Sequence, residues 1–231
     1  MSINNLIKRL QDIMRQDAGV DGDAQRISQI VWLLFLKVYD AKEELWEFHD
    51  EGYTSIIPED LRWRNWAIDN KDGKALTGED LLNFINNVLF TTLKELEINE
   101  FTSKSSAIVK YVFEDAYNYM KNGVLLRQVI NLLNEVDFTE YQERHAFNDI
   151  YETILKDLQS AGNAGEYYTP RAITEFMVNV LKPQIGETVA DFAAGTGGFL
   201  ISALNYLDQH VKTPKDREIL QSSLYGIEKK P

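Results

Sequence analysis

Asp191-Phe192-Ala193-Ala194-Gly195-Thr196-Gly197-Gly198 is the stretch on which the reading of this chain turns. A β-prone segment, Glu187 to Phe192, runs into it, and a helical segment, Phe199 to about His210, runs out of it. Glycine lacks Cβ, so the backbone between the two can bend sharply and let a ligand approach closely. Leu224-Tyr225-Gly226-Ile227 then reads as a second short strand. Together these segments form a β-turn-α-β unit, the opening of a parallel α/β sheet. In such sheets the ligand lies outside the carboxyl ends of the strands, and Asp191 would sit at one of them.

Three ligands compete for a turn of this kind. A phosphate-cradling loop needs Gly-Lys-Ser/Thr, whereas Gly197-Gly198 continues into Phe199-Leu200. A dinucleotide fingerprint, G-x-G-x-x-G, is begun by Gly195 and Gly197 but fails at Leu200. S-adenosylmethionine needs no pyrophosphate grip. It calls for glycines against its methionine and ribose, and for acids toward its amine and hydroxyls, a role that suits Asp191 and Glu228. Taken alone, the glycines also fit a plain strand-to-helix turn.

A second motif lies upstream, Gly165-Glu166-Tyr167-Tyr168-Thr169-Pro170-Arg171. Pro170 suits a helix start and Thr169 a cap, ahead of a helix from Ala172 to Leu181. Amides, a hydroxyl and Arg171 at such a helix end could hold a carboxylate. On its own the motif reads as a capped helix with an aromatic pair. Ser160-Ala161-Gly162-Asn163-Ala164-Gly165 is small and flexible, a junction dividing residues 1–160 from 161–231.

Residues 1–160 read as helices. Ile3, Leu6, Ile7, Leu10, Ile13 and Met14 recur at helical spacing. Asp23 to about Phe48 contains Ile30-Val31-Trp32-Leu33-Leu34-Phe35-Leu36, apolar on nearly every side, which predicts a helix buried all round. Between Gly52 and Gly73 the pattern is lost. Trp63 and Trp66, beside Arg62 and Arg64, could stack on a base, but the better reading is the anchor of an ordered loop. Thr77-Gly78-Glu79-Asp80 starts a helix carried by Leu81 to Leu96, with a cap and acids in its first turn. Ile108 to Ala116 marks another, ending near Asn122-Gly123. Val124 to Val136 and Thr139 to about Gln159 are two more.

The bulk properties are those of a globular chain: 231 residues, 44% apolar and 26% charged, with no cysteine. The absence of cysteine excludes disulfides and thiolate metal sites and suits a reducing cytoplasm. No secretory signal or membrane span is visible, and His49, His145 and His210 lack metal-ligand spacing. The net charge is −12. Residues 1–160 carry 17 basic and 28 acidic side chains, and residues 161–231 carry 7 and 8. That balance is awkward for contact with phosphates and fits simple solubility better than an acidic docking face.

The order GEYYTPR, DFAAGTGGFL, LYGIE resembles the opening of adenine-specific DNA amino-methyltransferases. Upstream, Asp149-Ile150-Tyr151-Glu152-Thr153-Ile154-Leu155 and Leu33-Leu34-Phe35-Leu36-Lys37 are similar to the modification subunit of type I restriction–modification systems in particular. The resemblance implies a helical amino-terminal domain, residues 1–160, for partner and DNA contacts. It implies that residues 161–231 begin an α/β S-adenosylmethionine-dependent, Rossmann-like methyltransferase domain, truncated here. It places Glu166, Tyr167, Tyr168, Thr169, Pro170 and Arg171 along the methionine end of the cofactor. Asp191, Gly195, Thr196, Gly197 and Gly198 match the glycine motif, and Glu228 the acid that accepts the ribose hydroxyls. Phe192 stands where the family usually has proline, which would stiffen the loop, so the loop is expected to shift slightly.

The resemblance further implies a cytoplasmic assembly of two modification subunits with a specificity subunit that reads double-stranded DNA, joined by a restriction subunit for cleavage. The specificity subunit would supply much of the basic surface. In this family an Asn/Asp-Pro-Pro-aromatic motif holds the reacting amine. The five prolines, at 58, 170, 183, 214 and 231, are nowhere adjacent, so that motif is absent and the chain alone is expected to be inactive. Two other expectations stay open: a helical interaction module that scaffolds assembly without cofactor, and a methyltransferase acting on protein or RNA.

Overall fold

The computed structural model describes residues 3–69, 73, 75–100, 102–136, 169–195 and 197–228. It separates into two compact units, Met1–Asn163 and Ala164–Pro231. The helix expected over residues 139–159 lies outside the described residues.

In the first unit the order is α1 (Ile3–Met14), α2 (Asp23–His49), a 3₁₀ turn (Glu59–Leu61), α3 (Trp63–Trp66), α4 (Gly78–Asn83), a π-helical turn (Phe84–Leu89), α5 (Phe90–Lys94), α6 (Lys104–Glu114) and α7 (Gly123–Asn134). Leu6, Ile7, Leu10 and Met14 form one buried face of α1, which packs on α7. The middle of α2 is buried all round, as its apolar run predicts: Ile30, Trp32, Leu33, Leu34 and Leu36 are all in the core. Trp32 meets Phe90 edge-on at 5.0 Å between ring centroids, and Phe90 meets Phe113 in the same way at 5.2 Å. Rings from α2, α5 and α6 are thereby locked together, each pair adding about 1 kcal/mol beyond its buried area.

The apolar repeat beginning at Leu81 is one continuous rod with a π-helical turn at its centre. Leu81, Ile85, Leu89 and Leu93 recur every fourth residue and all are fully buried. On an α-helix of about 3.6 residues per turn such a repeat drifts round the axis. The wider winding of a π-turn counters that drift and keeps the four side chains on one face.

The helix through Ile108 stops at Glu114, well short of Asn122. The cause is a set of buried side chains that take over backbone amides. Asp17 accepts the amides of Lys121 and Asn122, and Gln29 accepts that of Tyr119 while donating to Asn118 at 2.9 Å. Residues 117–121 therefore run without helical bonds, and Asn122 caps α7 by accepting from Val124 and Leu125.

Trp63 and Trp66 are buried, with their indole N–H groups donating to Asn134 Oδ1 and the Leu61 carbonyl, so the loop-anchor reading holds. Arg62 and Arg64 are tied to acids of α2, Arg62 to Glu47 and Arg64 to Asp40 and Glu47.

In the second unit α8 (Arg171–Leu181) precedes β1 (Val189–Asp191), α9 (Gly198–Asp208), α10 (Pro214–Gln221) and β2 (Leu224–Gly226). The strands pair in parallel with Val189 opposite Leu224 and Asp191 opposite Gly226. This is the β-turn-α-β unit read from the sequence, and α8 packs on α9. α10 is a helix that apolar spacing does not announce. Its signal was Thr213-Pro214-Lys215-Asp216, a capping box in which Thr213 and Asp216 each accept the other's amide. Thr169 is not the cap of α8. Pro170 occupies that position, with no side-chain hydrogen bond, because helical geometry begins only at Arg171.

Glu43 of α2 is fully buried. Its Oε1 accepts from the hydroxyls of Tyr53 (2.8 Å) and Ser55, while Oε2 has no hydrogen-bond partner. Burial pushes its carboxyl above the usual carboxylate range, against the pull of Ser55, Tyr53 and Arg62. A folded-state pKa raised in this way means stability is full below the ordinary value and is lost as pH rises through the raised one. Burial shifts Asp40 the same way, against Arg64, and the Asp40 charge adds to the rise at Glu43, so removing the Glu43 charge relieves the pair. Glu43→Gln should therefore match wild type in acid and exceed it by about 1–2 kcal/mol at alkaline pH. Urea unfolding across a pH series checks this, and parallel profiles for the two proteins would refute it.

Candidate functional site

The site is built where β1 and β2 end. Past the strands, the Asp191 carbonyl accepts from the Ile227 amide (2.8 Å), and the Ala194 amide donates to the Ile227 carbonyl (2.9 Å). Those two bonds clip the start of the glycine turn to the residue just before Glu228. The Asp191 carboxylate accepts from the Ala193 amide at 3.1 Å, an Asx-type bond that shapes the turn's first corner. Asp191 thus serves the loop through both its carbonyl and its side chain.

Glu228 reaches back across the strands, and its Oε2 accepts from the Gly195 amide at 2.7 Å. Gly195 and Gly197 have φ of 52° and 74°, the left-handed region that glycine enters without strain. A Cβ built at either would meet nothing within 4 Å, so the turn borders open space and the demand for glycine is conformational. Phe192 is 78% exposed and packs little against the turn, so the loop closes without the proline expected there.

The start of α8 stands beside the start of α9. The Arg171 guanidinium donates to the Gly198 carbonyl at 3.5 Å, and the Thr174 and Ser202 hydroxyls meet at 2.7 Å. Thr169 and Pro170 are exposed at this end. An apolar cavity of about 310 Å³ lies between α8, β1 and α9, walled by Met177, Val178, Val189, Phe199 and Leu200, with Asp191 as its charged member. Of the residues singled out in the sequence, Asp191, Gly195, Gly197, Gly198 and Glu228 are brought together at the strand ends, and Arg171 reaches Gly198. Glu166, Tyr167, Tyr168 and Thr196 lie outside the described residues. Sequence reading missed Thr174 and Ser202, because a hydroxyl on a helix carries no spacing signal.

This donor set fits S-adenosylmethionine. There is Cβ-free space at two glycines, a carboxylate fixed to the turn for a diol, and a helix start with an arginine for an anion. Among the described residues no group of three or more His, Asp or Glu is placed to hold a metal, and no helix is long and apolar enough to cross a membrane.

Comparison with known proteins gives the class. Residues 3–133 match the HsdM N-terminal domain, and residues 142–231 match the N-6 DNA methylase family. The chain belongs to the HsdM N-terminal domain family, the modification subunits of type I restriction–modification systems. Among individual relatives, it is 57% identical over its whole length to the type I restriction enzyme EcoEI methylase subunit of Escherichia coli, covering 46% of that protein. It is 28% identical over 90% of its length to the StySJI methylase subunit of Salmonella typhimurium, covering 36% of it. The chain thus spans less than half the length of these curated relatives. A crystal structure of a modification subunit of a putative type I restriction enzyme from Vibrio vulnificus superposes with a TM-score of 0.85 at 37% identity, over 99% of this chain and 50% of that one. A chain from a structure of a type I system, described for its complex assembly and conformational transition, gives 0.77 at 35% identity, over 99% and 45%.

The turn itself is testable through its glycines. Gly197→Ala forces a left-handed backbone on alanine and should cost about 1–2 kcal/mol. Gly198 opens α9 in helical geometry, and its nearest neighbour would be Thr174 Cγ2 at 3.9 Å. Gly198→Ala should be neutral or up to about 1 kcal/mol stabilising. Equal effects of the two substitutions in thermal unfolding would contradict the turn geometry described above.

Proposed function

We propose that this chain provides the cofactor half of a DNA adenine methyltransferase. The complete protein would move a methyl group from S-adenosylmethionine to the exocyclic amine of adenine in duplex DNA, as the modification subunit of a cytoplasmic type I assembly. When bound, the cofactor supplies a methyl group activated by its sulfonium. Glu228 accepts the ribose hydroxyls while holding Gly195. Gly195, Thr196, Gly197 and Gly198 let the ligand lie against the backbone, and Asp191 fixes the turn. Glu166 to Arg171 form the end that takes the methionine carboxylate. The target base must leave the helical stack to reach the methyl group. The proposed partners are a second modification subunit, a sequence-reading specificity subunit, a restriction subunit and double-stranded DNA.

The observation that carries this reading is the Glu228–Gly195 bond. It joins a carboxylate just past the second strand to the glycine turn that follows the first. The family match over residues 142–231 supports it.

Calorimetric titration of S-adenosylmethionine into the chain tests the reading. Glu228→Gln keeps one oxygen for Gly195 but removes an acceptor and the charge. It should weaken binding about tenfold or more, the worth of a hydrogen bond to a charged group. Absence of binding by wild type at millimolar cofactor would leave the chain as a helical interaction module. Unchanged affinity in Glu228→Gln would remove Glu228 from the site.

A further inference from the structure

We propose that Thr174 and Ser202 are positioning residues that set the amino-acid end of the cofactor site against its adenosine end. The inference rests on the cofactor reading above.

Thr174 lies one turn into α8 and Ser202 one turn into α9, and both side chains are buried. Thr174 Oγ1 is 2.9 Å from the Arg171 carbonyl and 2.7 Å from Ser202 Oγ. A threonine hydroxyl has one hydrogen. That hydrogen goes to the Arg171 carbonyl, which can only accept, so the Ser202 hydroxyl must donate to Thr174. The result is a directed relay from Ser202 to Thr174 to Arg171.

Around this pair the α8–α9 contact is apolar, with Val178 and Ala203 buried beside it. Stability alone would be served by valine and alanine at 174 and 202, since a buried hydroxyl costs free energy unless it is bonded. Two hydroxyls that satisfy only each other and one carbonyl add direction to the packing. Apolar faces can slide, whereas a 2.7 Å bond cannot. One residue of slippage along a helix moves its start by about 1.5 Å. The other described tie between the two helix starts, Arg171 to the Gly198 carbonyl, is long at 3.5 Å. Among the described contacts the relay is therefore a short link between the segment Thr169–Arg171 and the start of α9 at Gly198.

The two segments serve different parts of one ligand. Glu228 and Gly195 suit the ribose, and the helix start with Arg171 suits the carboxylate, which belongs to the amino-acid part alone. Loosening the relay should blur the second set of contacts and spare the first. A merely structural pair would weaken both.

The test measures dissociation constants by calorimetry for S-adenosylhomocysteine and for 5′-methylthioadenosine, which lacks the amino-acid part. The proteins are wild type, Thr174→Val, Ser202→Ala, the double variant and Thr174→Ser, each checked for unchanged thermal unfolding. Thr174→Val and Ser202→Ala should weaken S-adenosylhomocysteine about five- to tenfold and leave 5′-methylthioadenosine within about twofold. The double variant should be no worse than the weaker single, because the two hydroxyls share one bond. Thr174→Ser, which keeps the hydroxyl, should bind like wild type. Equal losses for both ligands, or no loss for either, would overturn the proposal. Failure of wild type to bind either ligand would instead strike the cofactor reading on which it stands. If Thr174→Val does not fold, Ser202→Ala and Thr174→Ser decide the matter.

Discussion

The placement of the candidate site depends on the two backbone hydrogen bonds made by Ile227. One accepts the Ala194 amide and the other donates to the Asp191 carbonyl. Three residues of parallel pairing on each strand are little on their own. The Ile227 bonds extend that pairing past the strand ends into the loop. They convert a glycine-rich segment, which would otherwise sample many conformations, into one turn with Gly195 and Gly197 in the left-handed region. Only after that does Glu228, next in the chain, find the Gly195 amide within reach. The carboxylate and the glycines meet because the strand register leaves them no other arrangement.

In the first unit the corresponding constraint is the burial of the middle of α2 on every side. A stretch of helix with no solvent face must satisfy its polar residues internally, and it does so by gripping loops, the short α3 and the last turn of α7. Gln29 takes the Tyr119 amide, Lys37 donates to the Leu133 carbonyl at 2.7 Å, and Glu43 takes Tyr53 and Ser55. Asp40 and Glu47 take Arg64. Each grip ties a loop residue, the short α3 or the last turn of α7 to the central helix. The irregular stretches 50–66 and 115–122 are therefore built parts of the fold, held at a cost in desolvation that the bonds offset.

That arrangement explains what the sequence revealed and what it hid. Apolar periodicity marked α1, α2 and α7 because a helix with one buried face, or with all faces buried, writes its environment into its own residues. Asp191 to Gly198 was legible because glycine at a left-handed position has few substitutes. The end of α6 was not legible, since it is decided by Asp17 and Gln29, far away in sequence. The π-turn at Phe84–Leu89 was recorded in the four-residue spacing of Leu81, Ile85, Leu89 and Leu93, which looks helical unless its drift is counted. At the site, Glu228 could be named from its place after a strand, but its bond to Gly195 needed the register. Thr174 and Ser202 gave no signal, because a lone hydroxyl on a helix more often faces solvent or its own backbone.

The fate of the arginines bears on the acidic charge. Arg127 is buried and donates to the carbonyls of Leu76 and Ala67, and burial pulls its basicity down. Arg26 donates to the carbonyls of Val20 and Asp21. Arg62 and Arg64 are engaged by Glu47 and Asp40. Several of the first unit's cations are thus spent inside the fold, holding carbonyls or acids, so its surface is poorer in positive charge than its composition suggests. Contact with DNA phosphates draws on exposed cations, each displacing counterions. A unit that uses its arginines internally is a weak source of that attraction. This favours the proposed division of labour, in which another subunit grips and reads the DNA while this chain holds the cofactor.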